Sequence, residues 1–217
     1  CSFIGIPLII ILTASVIGTE YQWGTIRPVL AKGTGRWQYL ISKVLLLWLL
    51  AAGVVLIIMA LTAVSSLIAG ALAGGAPEGA AASARWVDLP IAFGKAIFGV
   101  LPYIALATFL TVLATSWAIG MGISLGYYLV EYFVMMSCLA LPNVPKWIET
   151  VVSFVLGINV QALLIAGYAS TAGDADISDI LGRYPSAPHA FLVLMLYVLL
   201  FSGIALLIFR RRDVTTK

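Results

Sequence analysis

The chain has 217 residues, of which 62% are hydrophobic and 10% charged, with a mean hydropathy of +1.10. Soluble domains lie nearer half apolar and a quarter charged, so this composition excludes one. The formal net charge is +3, and its basic residues flank apolar runs, where topology and anionic lipid account for them without a nucleic-acid partner.

The apolar runs are continuous rather than alternating. That excludes a transmembrane barrel and leaves an all-α integral membrane protein, a polytopic helix bundle. Residues 2–18 are apolar and end at Gly18, a little short of the ~20 residues a crossing needs. No Met or charged segment precedes this run, so residues before Cys1 are expected to complete it. Residues 19–36 are polar and basic. Residues 37–73 form one very long apolar run. As a single helix it would protrude from a core of about 30 Å even when tilted, and the alternative is a break near Gly53. Residues 74–90 read as loop, rich in Gly, Pro and small residues. Residues 91–115 form a span with Lys95 near its start and Pro102 inside. The proline is expected to kink it, which membrane helices tolerate. Residues 117–140 form a span carrying Glu131, and two prolines then break the pattern over 141–149. Residues 150–169 are apolar but contain Asn159 and Gln161, 170–188 are acidic loop, and 190–209 are a clean span running into FRRRDVTTK.

Basic residues mark the cytoplasmic side of a membrane protein. Arg27, Lys32, Arg36 and Lys43 fall beside the first span, and Arg210, Arg211, Arg212 and Lys217 follow the last. Both segments are expected in the cytoplasm, the C-terminus included, with the chain multi-pass in the cell (inner) membrane. An even number of crossings must join them. Spans 37–73, 91–115, 117–140 and 190–209 satisfy this, and 150–169 is then a non-spanning helical segment on the outer side. A break within 37–73 would instead let 150–169 cross.

The segment from Thr19 to Lys43 is the most informative. Thr25 is a good N-cap, Pro28 is tolerated in a first turn, and Gly33 can stop a helix in the left-handed region. A short helix over about 25–33 follows, with Trp23, Ile26 and Leu30 as its apolar side and Glu20 at the membrane exit. Such a helix either rests on lipid headgroups or docks into a groove on a cytoplasmic partner.

The stretch GTEYQWGTIRPVLAKGTGRWQYLISKVL resembles the cytoplasmic segment of ABC-2 type transporter permeases. The match lies at Glu20, Gly24, Thr25, Ile26, Arg27, Leu30, Gly33, Arg36 and Lys43. The run from Phe209 to Asp213, Leu101 to Tyr103, and Glu131 also resemble that family, in the right order along the chain. Pro28 departs from its pattern, and the family's first helix stands apparently missing before Cys1. The resemblance implies a six-helix, type V exporter-like permease fold working as a homo- or heterodimer of membrane subunits. It also implies a separate ABC ATPase subunit, coupled through Glu20, Trp23, Gly24, Thr25, Ile26, Arg27, Leu30 and Arg36. This chain has no G-x-x-x-x-G-K-[ST] loop, so it is expected to be no enzyme and to carry no cofactor; ATP and Mg would be held by the partner, and lipid would surround the bundle. A second expectation keeps the fold without transport, as an accessory or scaffold subunit docked on other membrane subunits. A copurifying ATPase separates the two.

Glu131 is the acid in mid-membrane, a functional candidate by default or a structural acid paired with a neighbour. Tyr127, Tyr128 and Tyr132 lie within a turn of it, close enough to hydrogen-bond. Lys95 reads as snorkelling, and His189, the lone histidine, as solvated at the outer surface. Cys1 and Cys138 read as small buried hydrophobes. One histidine and two separated cysteines assemble no metal site. Gly120, Gly122 and Gly126 suggest close helix packing.

Overall fold

The computed structural model describes residues 2–25, 35–72, 88–140, 145–166 and 184–211. The described residues form seven helices: α1 (Ser2–Trp23), α2 (Arg36–Leu72), α3 (Asp88–Ala114), α4 (Trp117–Ala140), α5 (Lys146–Val152), α6 (Leu156–Ile165) and α7 (Ala187–Arg211). Of these α1, α2, α3, α4 and α7 are long and apolar enough to cross a membrane. Helix is the form in which an apolar segment satisfies its own backbone in lipid.

The first helix does not end at Gly18. It continues to Trp23, and Gly24, at φ +66°, is the left-handed residue that stops it. Gly18 serves packing instead: a Cβ there would lie 2.4 Å from Cα of Trp117, the first residue of α4. The second helix is unbroken through Gly53. With 37 residues it is about 55 Å long. Its buried side chains, Leu40, Leu47, Ala51 and Val55, all lie in its first 20 residues. Beyond Val55 it runs alongside little of the bundle.

Helix α3 is central and packs on α1, α2, α4, α6 and α7. Residues 102–108 are buried without interruption, as expected of a helix surrounded on all sides. The helix continues through Pro102. The turn into α4 is Thr115, at φ 52°, and Ser116. Gly120 then lets α4 return tightly along α3, since a Cβ there would stand 2.4 Å from Oγ1 and 2.7 Å from Cα of Thr111. Gly122 and Gly126 have open space where a Cβ would go.

The apolar segment 150–169 is not one helix. Helix α5 ends at Val152, and α6 begins at Leu156 after a break at residues 153–155. Ten residues long, α6 spans about 15 Å, half the thickness of a bilayer core. It is buried among α3, α4 and α7 through Leu156, Ile158, Val160 and Leu163. At Gly99 of α3 a Cβ would lie 3.0 Å from Val160 Cγ1.

Candidate functional site

Two polar nodes stand out, one at an end of the bundle and one inside it. The first is where α1 ends, α2 begins and α7 ends. Glu20, three residues from the end of α1, holds Lys43 of α2 in an ion pair. The Lys43 ammonium also stands 5.9 Å from the Tyr39 ring centroid, within reach of a cation–π contact. Tyr39 stacks on Phe209 of α7 at 5.8 Å, and Tyr21 meets the same ring edge-on at 6.4 Å. A small cavity lined by Ile17, Glu20, Tyr21, Tyr39, Leu40, Lys43 and Phe209 lies between them. Trp23 and Trp37 are exposed at this end, as aromatic residues are at membrane interfaces.

Of the coupling residues expected from the sequence, Glu20, Trp23, Gly24 and Thr25 cluster here. The Thr25 hydroxyl donates back to the Glu20 carbonyl at 3.5 Å, and Arg36 opens α2. Ile26, Arg27 and Leu30 lie outside the described residues, as does the short helix over 25–33 beyond Thr25. The aromatic cluster of Tyr21, Tyr39 and Phe209 joins three helices far apart in sequence, so no local pattern announces it.

The second node is the break between α5 and α6. Inside an apolar bundle, a break frees backbone groups that lipid cannot satisfy. Side chains supply the partners. Val155, the N-cap of α6, is extended (φ −67°, ψ 136°) and offers no side-chain cap. Glu131 of α4 takes that role: its carboxylate accepts the N–H of Gly157. Tyr103 of α3 donates its hydroxyl to the other carboxylate oxygen at 2.9 Å. Gly157 leaves little room: a Cβ there would lie 3.2 Å from Glu131 Cδ and 3.3 Å from the Tyr103 hydroxyl, so the capping side chains would have to give by a few tenths of an ångström. The carbonyls before α6 are served too. Asn159 Nδ2 donates to Ser153 O at 2.8 Å and Val155 O at 2.7 Å. Tyr197 of α7 donates to Phe154 O at 3.1 Å, and His189 Nε2 lies 3.4 Å from Ser153 O.

Tyr103, 28 residues from Glu131 in sequence, thus supplies a hydroxyl to it that the local sequence did not point to. Tyr128 is buried edge-on against Tyr103 at 5.9 Å, and Tyr132 meets the ring of Phe133 at 6.4 Å. Asn159 is fully buried. His189 is partly buried, its ring 5.5 Å from that of Phe154. The carboxylate at an N-terminus is the favourable placement for a negative charge, since the first N–H groups and the helix dipole both face it.

The chain belongs to a family of proteins of unknown function, DUF2705, which it matches over residues 1–215. No curated protein and no solved structure matches it.

Proposed function

We propose that this chain is the membrane permease subunit of an ATP-driven transporter of the ABC-2 type, energised by a separate ATPase that docks on the connection between α1 and α2. The observation that supports this reading is the node at the basic end. Glu20, Lys43, Tyr39 and Phe209 tie α1, α2 and α7 together beside that connection, so a push on it acts on three spans at once. The ordered resemblance to ABC-2 permeases over Glu20 to Lys43 supplies the partner class. Under this reading the end carrying Lys43, Arg210 and Arg211 faces the cytoplasm of the inner membrane, the α5–α6 break faces outward, and ATP and Mg stay on the partner.

One observation favours a second reading, a non-transporting subunit of the same fold within a larger membrane complex. Glu131, Tyr103 and Asn159, polar groups inside the bundle, are engaged in holding α6. Mass spectrometry of the complex purified in mild detergent from its native membrane separates the two. A stoichiometric ATP-binding-cassette ATPase is expected. Other membrane proteins in fixed ratio, without an ATPase, would replace the first reading by the second.

A further inference from the structure

Glu20 was read from the sequence as a residue that meets the partner, but its carboxylate is engaged within the chain. It holds Lys43 of α2 across 23 residues, and the two side chains keep only 21% and 27% of their exposure. The pair joins the two helices that residues 26–34 connect in sequence. Glu20 lies about one turn inside the end of α1, and Lys43 lies about 10 Å, two turns, inside the start of α2. A partner that pushes on this connection therefore pushes, along the chain, on two helices that the pair already joins. Around it, Lys43 lies over Tyr39, Tyr39 stacks on Phe209, and Tyr21 closes on the same ring. A partly covered ion pair with aromatic walls is less screened than a free surface pair, and separating it leaves two half-covered charges without partners.

We propose that Glu20 and Lys43 form an internal clasp that makes the adjoining ends of α1 and α2 move as one body when a partner engages the connection. Glu20 is then a positioning residue rather than a contact of the partner. This deepens the permease reading and rests on it.

The test is a charge swap in the full complex from native membranes. Glu20→Lys and Lys43→Glu alone are expected to lower ATP turnover of the complex, relative to the isolated ATPase, by about tenfold. The amount of ATPase that copurifies should stay unchanged. The double variant should recover to within about twofold of the wild type, as a pair acting on each other does in a double-mutant cycle. A folded double variant that stays as low as the single ones would overturn the clasp, because Glu20 or Lys43 would then be meeting the partner itself. Singles that keep full coupling would overturn it as well. A second measurement needs no ATPase: Glu20→Cys with Lys43→Cys, in a background lacking Cys1 and Cys138, should be joined by a short bifunctional maleimide in isolated membranes. Failure to join overturns the clasp. Absence of an ATPase from the wild-type complex overturns the permease reading instead, and the cross-link still decides whether the two helix ends are held together.

Discussion

Replacing Glu131 tests whether the buried acid exists to hold α6. Its carboxylate accepts from two donors, the N–H of Gly157 and the Tyr103 hydroxyl. Glu131→Leu leaves both without an acceptor in a site only 5% exposed. Hydrogen bonds inside membrane bundles measure about 0.6 kcal/mol on average and about 1.7 at most, so two of them give a loss of about 1–3 kcal/mol. For a chain of this size that lowers the melting temperature in detergent by roughly 2–12 °C. Glu131→Gln keeps one carbonyl oxygen for the Gly157 N–H, loses the charge, and turns the second oxygen into an NH2 that the Tyr103 hydroxyl can meet only as an acceptor, at about 1 kcal/mol, or roughly 2–4 °C. Adding Tyr103→Phe to Glu131→Leu removes one orphaned donor, so the double variant should be more stable than the sum of the single changes implies. Thermal unfolding followed by circular dichroism reads all five proteins, wild type and Tyr103→Phe alone included. The capping argument fails if Glu131→Leu melts with the wild type, or if Glu131→Gln is as harmful as Glu131→Leu.

The glycines divide into two groups that a melting series distinguishes. Gly18→Ala and Gly120→Ala place a Cβ against the backbone of Trp117 and of Thr111 and should destabilise by about 1–3 kcal/mol, whereas Gly53→Ala, Gly122→Ala and Gly126→Ala enter open space and should be neutral or gain up to about 1 kcal/mol of helix propensity. Arg27→Glu should lower ATP turnover of the purified complex without lowering its melting temperature; unchanged turnover counts against docking on this segment. Even at a 40° tilt α2 would cover roughly 43 Å, beyond a core of about 30 Å. In isolated membranes Leu72→Cys should therefore react with a membrane-impermeant maleimide and Leu56→Cys should not, and equal protection of both would refute the protruding end.

The long helices were legible because an apolar run of bilayer length has few other solutions, and their order follows from simple counting. What the sequence concealed was what each interruption does. Gly18 reads as the end of a span but is a contact with α4, while the stop is Gly24, six residues on. Gly53 reads as a possible break, yet a lone glycine costs a helix only about 1 kcal/mol, too little to outweigh the backbone bonds a break would expose in lipid. The reverse holds at residues 153–155, where no glycine or proline stands and the chain nevertheless breaks. That break depends on Glu131, Asn159, His189 and Tyr197, which lie on three different helices. A window along the sequence sees polar residues in spans, but not that they converge. The polarity of Glu131 and Asn159 was visible; the partner Tyr103, and the reason for both, required the packing of α3, α4 and α6.

This difference follows from the solvent. In water, burial of apolar side chains decides the fold, and a periodic pattern reports which face is buried. Here the exposed leucines of α2, such as Leu49, Leu61 and Leu67, lose nothing by facing lipid, which is as apolar as they are. Their pattern therefore carries little information about neighbours. Specificity shifts to close backbone approach and to polar groups that lipid cannot satisfy. In this chain those are the contacts at Gly18 and Gly120, the clasped ends of α1 and α2, and the capped start of α6. They involve a small fraction of the residues, and substitutions there should outweigh those on the broad apolar surface of α2.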